Sequence, residues 1–305
     1  MRPRLVMFAA LMIAAAALVT AISQIPPRSR HVVARATLPP DLASYLGAFE
    51  TGSPPSYEPL AEFARAAGRE PDIVGSFSGW AQPFDSAFAR SMLAHHVIPF
   101  VQIDPELASM KGIAAGDYDT YLRSYAESVA GFGHEMNAPW YSWGYGHTSP
   151  ATFIAAWRYI VTLFRQAGAE NVTWLWTINS DRPGTGPVAD WWPGARYVTW
   201  VGIDGYYYRP SDTFRSVFGT TIDQVRSFTS RPILLSETAV GPAAGQFVKI
   251  QDLFRGMARY KTLGLVWFDK TQHHGIFHQD WRLEDSETAE DSFRLGVRDE
   301  LAPVK

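Results

Sequence analysis

PILLSETAVGPAAGQFVKIQDLFRGMARYKTLGLVWFDK, residues 232–270, contains a whole strand–helix–strand unit. It opens with the apolar run PILLSE and ends with a second, GLVWF, each short enough for a buried strand rather than a helix. Between them, QFVKIQDLFRGMARYKTLG carries apolar residues at Phe247, Ile250, Phe254 and Met257, the spacing of one helix face. Alternation of this kind is the signature of parallel βα units.

Upstream the pattern recurs. The runs YLGAF, DIVGSF, VIPFVQI, the stretch before Glu135, VTWLWTI and YVTWVGID join the two above. Helical patterns such as YEPLAEFARAAG, DSAFARSMLAHH and SPATFIAAWRYIVTLFRQAG lie between them. Eight strands with interleaved helices predict an α/β fold, a (β/α)8 TIM barrel, formed as one domain by residues 44–305. Functional groups in that fold sit at the C-terminal ends of strands. Five acidic or amide residues fall there: Glu135 and Glu237 after the fourth and seventh runs, with Asp104 in VQIDP, Asn179 in TINS and Asp204 in GIDGY.

The N-terminus reads differently. Arg2 and Arg4 precede an apolar run from Leu5 to Ile22, and small residues near Ala21 and Ser23 permit cleavage. Residues 1–23 are therefore expected to be a signal peptide or an uncleaved membrane anchor, residues 24–43 a linker, and the barrel secreted or extracytoplasmic and anchored through residues 5–22. The chain has no cysteine, which excludes disulfides, a thiolate nucleophile and Cys-ligated zinc. A formal charge of −3 with scattered Lys and Arg argues against a nucleic-acid partner. No repeat or low-complexity tract suggests an added binding module, and a monomer is expected.

Aromatic residues are the compositional outlier, with 11 Trp and 13 Tyr. Trp80, Trp191, Trp192 and Trp281 have two readings, as flat platforms for sugar rings or as packing under loops. His273, His274 and His278 sit on a Gly-containing loop, but their spacing matches no metal-ligand pattern, so no metal is expected. Asn171-Val172-Thr173 matches a glycosylation acceptor but falls at a helix-to-strand junction.

The chemistry lies in GFGHEMNAPWYSWG, 131–144, and PILLSETAV, 232–240, each of which ends an apolar run with a glutamate. Paired carboxylates are what acid-assisted cleavage of a glycosidic bond requires, and retention of configuration needs them about 5–5.5 Å apart. One must be protonated to donate to the leaving oxygen and one ionised to attack the anomeric carbon. Glu135, among His134, Trp140 and Trp143, is expected to hold its proton through desolvation; Glu237 is expected to stay ionised if Tyr206 donates to it. Taken singly, each Glu would read as a surface charge. Asp104, Asn179 and Asp204 read equally as sugar-hydroxyl ligands or as caps of the following loops.

HEMN, with Trp140 five residues after Glu135 and then Trp143 and Gly144, resembles glycoside hydrolase family 26, the β-mannanase family, over roughly residues 45–300. That resemblance implies Glu135 as general acid/base, Glu237 as nucleophile and His134 as a sugar-hydroxyl ligand. It also implies Tyr206 in GIDGYYY beside the nucleophile and Trp267 in LVWFDK as a sugar platform. The implied activity is cofactor-free cleavage of a β-linked polysaccharide or oligosaccharide, β-1,4-mannan foremost, with β-glucan or β-xylan as alternatives. A barrel that binds polysaccharide at the cell surface without cutting it is the alternative of another class.

One spacing conflicts with a regular barrel. Tyr118, Tyr121, Leu122, Tyr125 and Val129 give the third helix a clean period running to Ala130, and four residues then separate Ala130 from Glu135. A turn and a strand need more than that. The third helix is therefore expected to be the shortest or the fourth strand the least regular. Early unwinding of the helix, displacement of Glu135, or a deletion are the possible causes.

Overall fold

A computed structural model of the chain describes residues 45–125, 131–169, 171–242, 244–272 and 279–301. The expected leader and linker, 1–43, and the three histidines at 273, 274 and 278 lie outside the described residues. Among the described residues no helix is long and apolar enough to cross a membrane.

The eight runs become eight parallel strands: β1 (Tyr45–Glu50), β2 (Ile73–Gly79), β3 (Ile98–Asp104), β4 (Gly131–Phe132), β5 (Leu175–Asn179), β6 (Trp200–Tyr207), β7 (Ile233–Val240) and β8 (Gly264–Asp269). They close in sequence order into one barrel, with β1 pairing β8 from Tyr45↔Gly264 to Glu50↔Asp269. The fold is a (β/α)8 barrel. Helices α1 (Glu58–Ala67), α2 (Ser86–Ala94), α3 (Met110–Ala115), α4 (Asp119–Tyr125), α5 (Pro150–Gln166), α6 (Thr220–Phe228), α7 (Gln246–Tyr260) and α8 (Glu287–Glu300) lie along the chain between and after them. Between β5 and β6 the chain crosses with a single 3-10 turn, Val188–Trp191, instead of an α-helix. Helix starts follow local chemistry: Asp85, Ser109, Ser149 and Ser286 accept from the backbone N–H three residues on, capping α2, α3, α5 and α8.

On α7 the buried stripe is Ile250, Leu253, Phe254 and Met257, while Phe247 is exposed, so the packed face starts one turn later than the sequence pattern suggested. Inside the barrel, the Phe49 ring stacks on Phe77 at 4.9 Å and meets Phe100 at 5.8 Å and Phe268 at 6.0 Å. Gly75 makes this possible, since a Cβ there would stand 2.4 Å from the Phe49 ring.

The fourth unit is as short as the spacing required. β4 has two residues, pairing Gln102↔Gly131 and Ile103↔Phe132 on one side and Gly131↔Leu175 on the other. The preceding helix is described to Tyr125, and residues 126–130 lie outside the described residues. The third crossover is split into two short helices, α3 and α4.

Candidate active site

Three neighbouring strands carry polar residues in register: Asn179 at the end of β5 pairs with Asp204 on β6, which pairs with Glu237 on β7. Asp104 ends β3, and Glu135 follows β4 by three residues.

Glu135 reaches this ring although its strand is stunted. Past Phe132 the backbone keeps bonding to both neighbours, Gly133 N–H to Ile103 O at 2.9 Å and Glu135 N–H to Thr177 O at 2.9 Å. It does so through left-handed dihedrals at Gly133 (φ 52°) and at Glu135 itself (φ 53°). A left-handed glutamate costs of order 1 kcal/mol, so surrounding contacts must impose it. Asn137 supplies one: its Oδ1 accepts from Asn179 N–H and its Nδ2 donates to Asn179 O, both at 2.8 Å, copying a strand pair with a side chain. Trp143 Nε1 donates to His134 O at 2.8 Å, and Tyr141 stacks on Trp143 at 4.3 Å. The carboxylate then receives Trp140 Nε1 at 2.6 Å on one oxygen and Asn179 Nδ2 on the other. The short unit has therefore not removed Glu135 from the pocket.

Glu237 owes its position to a bulge. Between Gly202/Leu234 and Asp204/Glu237 the β6–β7 register slips, and β7 carries one residue more than its partner. A bulge reverses the in–out parity of a strand. Ser236 consequently donates its hydroxyl to Asp204 Oδ1 at 2.6 Å, while the next residue, Glu237, receives Gln102 Nε2 at 3.1 Å and Tyr206 OH at 2.8 Å.

The electrostatics differ from the sequence expectation. Burial pushes Glu237 up to about 7; the His134 cation draws it down, Glu135 raises it further, and the Tyr206 hydrogen bond pulls back. Desolvation thus outweighs the Tyr206 contact that was expected to keep this carboxyl low. His134 moves to about 9: burial opposes its cation, but Asp104 at 3.0 Å, with Glu237 and Glu135, outweighs burial. At neutral pH an imidazolium therefore stands beside Glu237. Asp204 is fully buried and held well above the carboxylate range by desolvation and by repulsion from Glu237 and Glu135.

These contacts revise several readings. His134 has Nδ1 on Asp104 and Nε2 on the Tyr141 hydroxyl at 3.1 Å, leaving neither nitrogen for a sugar hydroxyl. Asp204 is fully buried and accepts from the Ser236 hydroxyl. Asn179 binds Glu135, and Asp104 binds His134. Trp267 points away from the cleft: it packs on Phe293 of α8 at 5.1 Å and donates its indole N–H to Trp281 O at 2.8 Å. The pleat turns the next residue, Phe268, inward instead, 5.8 Å from Tyr206. Trp80, Trp143, Trp191 and Trp281 are buried, and Trp192 packs against Trp176 and Phe228. Trp140 is 44% exposed, but the Arg182 guanidinium covers its ring at 4.7 Å.

Gln102, Asn137, Tyr141 and Arg182 were not foreseen. A glutamine inside the apolar run VIPFVQI was the available signal for Gln102; for Arg182 there was none. Among the described residues no group of His, Asp or Glu side chains could hold a metal ion.

A sequence model of glycosyl hydrolase family 26 matches residues 131–293, more than half of the chain. Endoglucanase H of Acetivibrio thermocellus is 28% identical over 271 residues, covering 81% of this chain and 29% of that protein, so the chain spans about three tenths of this relative's length. In structure, the chain is similar to the catalytic domain of the GH26 endo-β-1,4-mannanase of Bacillus sp. JAMB-750 (TM-score 0.63, 14% identity, 85% of this chain and 86% of that one). It is also similar to a Bacillus subtilis mannanase (TM-score 0.62, 18% identity, 86% and 87%). At such identities these two likenesses establish the fold.

Proposed function

Because the chain belongs to glycosyl hydrolase family 26, we propose that it hydrolyses a β-linked polysaccharide by double displacement, with Glu135 as general acid/base and Glu237 as nucleophile. The observation that carries this reading is the pair of buried glutamates, one just past β4 and one on β7, each with hydrogen-bond donors on both carboxylate oxygens.

In the first step Glu135 gives its proton to the leaving oxygen while Glu237 attacks the anomeric carbon. The His134 imidazolium favours the ionised nucleophile, and Gln102 and Tyr206 orient it. Trp140 and Asn179 fix the Glu135 carboxyl group. In the second step Glu135 accepts a proton from water, which releases the sugar from Glu237 with its configuration retained.

β-1,4-Mannan is the leading substrate, supported by the resemblance of HEMN and Trp140 to the β-mannanase family. β-Glucan is the second reading, favoured by the long match to Endoglucanase H. Export, with or without retention of residues 5–22 as an anchor, is proposed from the N-terminal sequence alone. The test is release of reducing sugar from mannan, mixed-linkage β-glucan and β-xylan by wild type, Glu135→Ala and Glu237→Ala, with the anomer of the first product read by NMR. Cleavage of one polymer with β-anomer product, lost in both variants, is expected. An inverted product, or activity surviving Glu237→Ala, would refute double displacement. A folded wild type that binds but cleaves none of the three would point to the non-catalytic alternative.

A further inference from the structure

A cavity of about 330 Å³ lies between the loops that follow β5 and β6, lined by Asn179, Arg182, Tyr206, Tyr208 and Arg209 among others. Its lining adjoins the catalytic residues, since Asn179 bonds Glu135 and Tyr206 bonds Glu237. Its volume is at the low end for ligand pockets and suits about one sugar unit.

The polar groups of this cavity are unevenly engaged. Asp181 accepts Gln224 Nε2 at 2.9 Å, and Asp212 accepts the Arg209 backbone N–H at 2.7 Å. Among the described residues neither the Arg182 nor the Arg209 guanidinium is paired with a carboxylate. The Arg182 guanidinium stands over the Trp140 ring at 4.7 Å; the Trp140 indole N–H reaches Glu135, and Arg182 also hydrogen-bonds Tyr208. A guanidinium stacked on an aromatic face is held in plane and keeps the remaining edge of its fork for a planar anion. The same contact occupies one side of the Trp140 ring, which stays 44% exposed.

We propose that this cavity is a subsite for a carboxylate-bearing sugar unit next to the cleaved bond, a uronic acid or another acidic substituent, read by Arg182 with help from Arg209. The natural substrate would then be an acidic β-linked polysaccharide, and Arg182 its specificity-determining residue. The inference rests on the hydrolase reading above, but the subsite can be tested separately from it.

The experiment compares mannan and β-glucan with the same polymers oxidised at C6 to carboxylates, and methyl β-glucuronide with methyl β-glucoside in calorimetric binding. Wild type is expected to favour the carboxylated forms by about ten- to a hundredfold, as for a charged hydrogen bond gained or lost. The preference should shrink at high salt, fall towards unity in Arg182→Gln, and recover only in part in Arg182→Lys, which keeps the charge without the fork. Arg209→Gln should reduce it less. Uronide binding that depends on Arg182 in a protein that cleaves nothing would support the subsite while defeating the hydrolase reading. Equal use of neutral and carboxylated forms by an active wild type, or a preference unchanged in Arg182→Gln, would overturn the proposal and leave the hydrolase reading standing.

Discussion

Replacing Glu237 with glutamine should make the protein more stable, with a gain that appears above about pH 4.5 and is complete above about pH 7. The side chain is 6% exposed, and burial raises its pKa from an ordinary 4.5 to about 7. A carboxyl whose pKa rises on folding holds its proton more tightly in the folded chain. The cost of ionising it is therefore absent below about 4.5, grows as pH rises, and is complete above about 7. A displacement of that size is worth about 3 kcal/mol. Glutamine keeps the shape and can still accept from Tyr206, while the Gln102 amide can turn to pair with it, so little packing is lost. Denaturant unfolding of wild type and Glu237→Gln should show coincident curves near pH 4.5 and a gain of about 3 kcal/mol at pH 8.5. In a barrel of this size the gain corresponds to a Tm rise of about 6–10 °C. A gap of equal size at both pH values, or a variant less stable than wild type at pH 8.5, would show that the ionised carboxylate is not what destabilises the pocket.

Tyr206→Phe removes a donor that favours ionised Glu237, so the acid limb of kcat/KM, where activity is lost as pH falls, should move to higher pH by about one unit; an unmoved limb would mean that Tyr206 does not act on Glu237. Asp104→Asn takes away the main partner of the His134 cation, and NMR titration should find its pKa well below about 9. In wild type that ion pair contributes stability that is complete below about 6.5 and lost as pH rises through about 9, so the gap between wild type and variant should close at pH 10. Trp267→Ala should lower stability by about 3–5 kcal/mol with KM little changed at a temperature where the variant is folded. A large rise in KM with unchanged stability would restore Trp267 as a sugar platform.

The barrel and its two glutamates were legible in the residue string because both are written locally. A run such as PILLSE or GLVWF is a buried strand whatever surrounds it, and closing eight of them in order leaves their ends on one rim. Even the stunted β4 could be counted from the residues between Ala130 and Glu135. The side chains' directions and partners were not legible. An extra residue in β7 reverses parity at Ser236 and aims Glu237, and the pleat of β8 sends Trp267 outward and Phe268 inward. Asn137 replaces a missing strand pair, and Arg182 lies on Trp140, across separations of roughly forty residues that no local pattern encodes. The Glu237 pKa was misjudged for the same reason. Desolvation sums over the whole closed barrel, whereas the Tyr206 hydrogen bond is a single contact, so the sequence determined which groups meet and the tertiary structure decided which of them governs the charge.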